Sequence, residues 1–183
     1  MFALRTLFVA LAAASVLANP LEVRQTTNTN PRIQQIIDVL DQSLHISGPN
    51  IVTIIASQTD NDQTITPQIN DMVKAFNTSA TDLNATPISS GSTATSPTND
   101  ELSVIFGDSL YITITSVSGL IQSDVPSLTS ILAPLDTAMA ASVTAFNRTL
   151  PGGLNLVHIL MLDAQQFLTR QGLTKTRTAL GFT

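Results

Sequence analysis

Cysteine and tryptophan are absent from this chain, tyrosine occurs once, histidine twice, and Lys and Arg together number only 8 in 183 residues. Each scarcity removes a class of function. Without cysteine there is no disulfide framework, no thiolate nucleophile and no Cys-ligated zinc site, so stability rests on packing alone. The dispersed basic residues, outnumbered by 13 acidic ones for a formal net charge of −5, form no cluster able to neutralise phosphate. Nucleic acid is therefore not an expected partner. His45 and His158 stand in separate segments, a closed zinc site lacks ligands, and no glycine-rich phosphate loop occurs, so no cofactor or metal is expected. With 7 Phe and no Trp, any apolar contact surface is mainly aliphatic.

What the chain has instead is aliphatic side chains at helical spacing. It opens with a short basic start, Met1 to Arg5, followed by the apolar run LFVALAAASVLA. This pattern is a secretory signal over 1–18, with Val16-Leu17-Ala18 as the cleavage site. The segment NPLEVRQTTNTN at 19–30 has no apolar period and reads as a flexible leader, with Arg24 as a point for trimming. Residues 31–183 are expected to form one helical domain, a length that supports a single core. No later run is long and uncharged enough for a transmembrane span; Leu154 to Leu162 comes nearest.

The expected fold class is all-α, an antiparallel bundle of about five or six helices. Asn30 as N-cap and Pro31 in the first turn start a helix with Ile33, Ile36, Ile37, Leu40 and Leu44 on one stripe, and Gly48-Pro49 is expected to end it. NIVTIIAS at 50–57 is ambiguous between helix and strand and leans to helix. Thr66-Pro67 suggests another start, with Ile69, Met72, Phe76 and Leu83 as the stripe. ATPISSGSTATSPTND, at about 85–98, reads as an exposed, mobile loop. Thr98 and Glu101 then form a capping box for a helix running towards Ser123, through the alternating YITIT.

The stretch Ser127 to Leu168 is expected to be the centre of the bundle. Leu128, Leu132, Leu135, Met139, Val143 and Phe146 recur at close to the helical period, Pro151-Gly152-Gly153 breaks the chain, and LNLVHILMLDAQQFL forms a second helix. That second helix carries Leu154, Val157, Met161, Ala164 and Leu168 on one side and Leu156, Leu160 and Phe167 on another. A helix apolar almost all round is either central or exposing grease. The expected apolar contact residues are accordingly Leu154, Leu156, Val157, Leu160, Met161 and Phe167.

Three sequons, at Asn77, Asn84 and Asn147, are candidate glycan sites and surface markers in a secreted chain. Phe106-Gly107-Asp108-Ser109-Leu110 resembles the Gly-Asp-Ser-Leu block of the GDSL esterases, which would make Ser109 a nucleophile. The companions that a hydroxyl nucleophile requires are missing: Asn155-Leu156-Val157-His158 has Asn where that family's later block has a carboxylate. The stretch is read as coincidence. Asp60, Asp62, Thr64 and Asp71 echo a calcium loop only faintly, with Ile65 where Gly is needed, and read as capping and solvation. His158, amid Leu and Ile, reads as a half-buried core residue.

Taken over Pro31 to Phe182, the signal, the Cys-free amphipathic helices, the SSGSTATSPTND loop and the two apolar helices are similar to the fungal hydrophobic surface-binding protein A family, which has a related branch of cell-wall galactomannoproteins. The resemblance implies a secreted, non-enzymatic protein, extracellular or in the cell wall. It would adsorb to wax, cutin, polyester or lipid and recruit a secreted esterase or cutinase. Two further readings stay open: a secreted esterase using Ser109, and a soluble lipid or sterol carrier with an internal pocket.

Overall fold

A computed structural model describes residues 27–182; the expected signal at 1–18 and the leader up to residue 26 lie outside them. The described residues are all-α, with four long helices and three short ones. The long ones are α1 (Asn30–Ala56), α2 (Asp62–Ala85), α3 (Asn99–Val117) and α4 (Leu128–Thr149); α5 (Gly153–Leu160), α6 (Gln165–Arg170) and α7 (Thr174–Ala179) follow. Successive long helices alternate in direction. Their neighbours in space follow another order, α3–α1–α2–α4, so that α1 lies parallel to α3 and α2 parallel to α4. The C-terminal segment closes the gap, α5 packing on α3 and α7 on α4.

This arrangement corrects the expectation of a central hairpin at Ser127 to Leu168. α4 packs chiefly along α2, where Ser79 and Ser142 touch hydroxyl to hydroxyl at 3.2 Å inside the interface. By length and apolar character α4 is also the one helix among the described residues long and apolar enough to cross a membrane, whereas the sequence suggested no such run and put Leu154–Leu162 nearest. Its apolar face is instead buried in the bundle, with Leu135, Met139, Val143 and Phe146 fully enclosed. Phe106 of α3 and Phe146 of α4 stack across the centre, 4.3 Å between ring centroids.

Helix boundaries differ from the sequence expectations in five places. α1 starts at Asn30, with Thr29 at the cap position and without a side-chain cap bond; the Asn30 side chain is buried elsewhere. Gly48-Pro49 does not end α1, which continues through 50–56 to Ala56. Gly48 is needed for a close crossing, since a Cβ there would stand 2.8 Å from Ile112 Cγ2. Pro49 is exposed, so the carbonyl it leaves unpaired is on the solvent side. Thr66-Pro67 is not a start either: α2 begins at Asp62, where Asn61 and Thr64 form the capping box. The Thr98–Glu101 box starts α3 as expected, but α3 ends at Val117 rather than near Ser123. YITIT is helical within it. Finally, the helix expected over Leu154–Leu168 is broken at Met161–Ala164 into α5 and α6.

The loop at 86–98 was expected to be mobile, yet it is tied to the ends of three helices. Buried Asn30 donates to Pro97 O at 2.8 Å and to Asn99 Oδ1 at 2.9 Å, and it accepts from Ser89 Oγ at 2.6 Å. Ser89 N donates to Thr149 O at 2.8 Å, and Asn99 Oδ1 accepts from Ser92 N at 2.8 Å. Its Ser and Thr residues serve as polar pins rather than as slack.

Candidate apolar contact surface

The end of α5 lies on the outer face of α3, and small residues set how closely. Gly152, with φ of 86°, occupies the left-handed conformation that lets the chain reverse after α4. The buried Ser103 hydroxyl donates to Gly153 O at 2.9 Å, fixing the start of α5 against α3. One turn further along α3, a Cβ on Gly107 would come 3.1 Å from Leu160 Cδ1, so glycine lets Leu160 settle there. Val104, Gly107, Asp108, Tyr111 and Leu160 together line a shallow depression of about 170 Å³. Beyond it, Ile159 and Leu162 stand 60% and 52% exposed. The result is a run of large apolar side chains open to solvent, with Asp108 at its margin and Asp163 next to Leu162.

Of the six expected contact residues, only Leu160 is exposed. Leu154, Leu156 and Phe167 are half-buried, while Val157 and Met161 are fully enclosed in the core. The last two therefore cannot touch a surface while the bundle is closed. They line up with Ala164 and Leu168 as the inward stripe, and all four are fully buried on both sides of the break at 161–164. Sequence reading missed Val104 and Tyr111, because α3 had been assigned no outward apolar face. Their signal was the spacing Val104-Tyr111, two helical turns apart and in line with Gly107 and Asp108.

Ser109 does not sit on a loop. It is fully buried in α3, and its hydroxyl donates to Asp41 Oδ1 at 3.0 Å and back to Ile105 O at 3.1 Å. His45 lies on the far side of Asp41, its Nδ1 3.2 Å from Asp41 Oδ2, so the carboxylate stands between serine and imidazole. An activated serine requires the imidazole in the middle. His158 is half-buried, as expected: its Nδ1 is 2.7 Å from Leu180 O and its ring stacks on Phe182 with centroids 4.3 Å apart. Asp62 of the faint calcium echo accepts from Ser127 N and Oγ at 3.1 and 2.8 Å, joining α2 to the start of α4. The sequon residues Asn77, Asn84 and Asn147 are all exposed.

A second concavity, of about 480 Å³, runs along the outside of the α1–α2 pair. Its floor is Ile36, Leu40 and Ala75, with Val39 and Ile46 on the α1 wall and Arg32, Asp71, Lys74 and Asp82 around it. It is a groove with exposed walls rather than an enclosed Leu and Ile cavity.

The chain matches no protein-family model and no curated protein.

Proposed function

We propose that the protein is secreted and non-enzymatic and adsorbs to hydrophobic surfaces such as wax, cutin, polyester or lipid through the outer apolar face of α3 and α5. One observation carries the reading: Val104, Tyr111, Ile159, Leu160 and Leu162 are each between 43% and 60% exposed, with α5 seated against α3. Contact through them needs no opening of the core. At about 25 cal/mol per Å², covering about 400 Å² of apolar surface contributes about 10 kcal/mol before ordering costs. The resemblance to the hydrophobic surface-binding family supports the same reading and extends it to a recruited esterase or cutinase. The buried position of Ser109 and the order Ser–Asp–His weigh against the esterase reading.

The test is depletion of the protein from solution by hydrophobic and hydrophilic beads across a salt series. Adsorption confined to hydrophobic beads, persisting at high salt and reversed by detergent, is the expected result. Ile159→Ser combined with Leu162→Ser should weaken it while leaving the melting temperature unchanged. Equal loss to both bead types, elution by salt alone, or indifference to the double substitution would reject the proposal. Turnover of short-chain p-nitrophenyl esters that disappears in Ser109→Ala would favour the esterase. The carrier reading calls for an enclosed pocket, whereas the α1–α2 concavity of about 480 Å³ is an open groove. Saturable lipid binding at a fixed ratio, abolished by Ala75→Trp, would favour the carrier instead.

A further inference from the structure

Asp41 and His45 are four residues apart on α1 and share one of its faces. Asp108 of α3 reaches the same place because α1 and α3 run side by side, held there by the hydroxyl of the adjacent Ser109 on Asp41 Oδ1. One ligand atom from each of Asp41, His45 and Asp108 lies within 4.8 Å of the others. The nearest approaches are 3.2 Å from His45 Nδ1 to Asp41 Oδ2 and 3.9 Å from His45 Nε2 to Asp108 Oδ2. Donors bound tetrahedrally at about 2.1 Å from one ion stand about 3.4 Å apart. Of these, the 3.9 Å from Nε2 to Asp108 is a ligand separation close to that spacing, whereas the 3.2 Å contact is made by the other ring nitrogen. His45 and Asp108 are exposed, so their side chains can adjust to bring all three donors around one ion.

We propose that Asp41, His45 and Asp108 form a binding site for a first-row divalent transition-metal ion such as zinc. Two details make this more than a chance meeting of charges. Ser109 is fully buried, so the hydroxyl that orients the Asp41 carboxylate belongs to the packed interior and is not a mobile surface group. His45 Nδ1 lies 3.0 Å from Asp41 O; protonated there, it donates to that carbonyl and leaves the Nε2 lone pair on the Asp108 side. Two carboxylates balance a divalent charge, and the imidazole nitrogen favours zinc, nickel or cobalt over calcium and magnesium, which prefer all-oxygen shells. Three protein ligands leave a coordination position open to water or to a carboxylate ligand. The ion would join α1 to α3 on the outside of the bundle.

The experiment is calorimetric titration of ZnCl₂ into the untagged, chelator-treated full chain near neutral pH, with CaCl₂ and MgCl₂ in parallel and melting temperatures recorded for each. Zinc should bind one-to-one and raise the melting temperature, with little response to calcium or magnesium. His45→Gln and Asp108→Asn should each weaken zinc at least about tenfold, and Ser109→Ala by about tenfold, as loss of an orienting partner does. His158→Gln, remote from the three residues, should leave zinc affinity unchanged. Because His45 and Asp108 are exposed, their variants should melt like the parent without metal, which separates lost binding from lost folding. No saturable heat, several weak sites, or zinc binding indifferent to His45→Gln would overturn the proposal.

Discussion

Leu135 on α4 and Met161 just after α5 are both fully enclosed, and their environments show where the stability of a cysteine-free chain resides. Truncating either to Ala should cost about 2 to 5 kcal/mol, because the lost burial is joined by a cavity that the rigid surroundings fill only in part. Urea denaturation of each variant checks this; a loss under 1 kcal/mol at both positions would contradict the packing. Polar residues act locally and more weakly. Glu101 accepts from Thr98 N at 2.7 Å and Ser96 Oγ at 2.9 Å, and these two bonds hold its carboxyl below the ordinary glutamate range. The folded state therefore favours the ionised form. Its contribution is fully present above the unfolded carboxyl's pKa and is lost as pH falls through the lower folded value. Titration of the Glu101 side-chain carbon by NMR should give a midpoint below that of an unstructured glutamate, and Glu101→Gln should flatten this part of the acid limb of stability.

Helices α1 and α3 meet through small residues, and that contact explains where the sequence misled. Gly48-Pro49 has the chemistry of a helix end, yet the glycine serves the neighbouring helix and the proline faces solvent, so α1 runs on. Stripes such as Ile33–Ile37–Leu40–Leu44 were legible because burial follows the helical period; all four are core. Boundaries set by a partner helix were not legible, since nothing local to Gly48 names Ile112. The start of α2 was written in Asn61 and Thr64, a box closed by Thr where Glu or Gln is the usual partner. The exposed face was half legible: Leu160 could be read from a helix with too many apolar sides, whereas Val104 and Tyr111 join it only once α5 lies on α3. Asp41 and His45 were visible as a helical pair, but Asp108 comes from 63 residues beyond His45. Gly48→Ala tests the crossing. It gains about 1 kcal/mol of helix propensity but drives a Cβ to within 2.8 Å of Ile112 Cγ2. The net result should be a loss of about 1 kcal/mol. Adding Ile112→Ala should remove the clash, so that Gly48→Ala becomes stabilising in that background; the same cost in both backgrounds would rule out the contact as its cause.

At the scale of the whole molecule, the proposed adsorption has two conceivable routes that differ in what moves. Either the closed bundle lands on its outer α3–α5 face, or the helices part and turn Val157, Met161 and their neighbours outward. Opening exposes the core to water before any surface covers it, at a cost that approaches the global stability, about 5 to 15 kcal/mol for a domain. Landing closed carries no such cost. The α2–α4 interface offers a way to separate the routes, because Ser79 Oγ and Ser142 Oγ are already 3.2 Å apart and the chain has no cysteine of its own. Ser79→Cys with Ser142→Cys should therefore form a disulfide with little movement of the backbone. Closing so long a loop should stabilise the oxidised form by about 2 to 4 kcal/mol and forbid any opening that separates α2 from α4. If the closed bundle lands on its outer face, oxidised and reduced forms deplete equally onto hydrophobic beads. Retention of adsorption only after reduction would show that the inner faces, not the outer ones, make the contact.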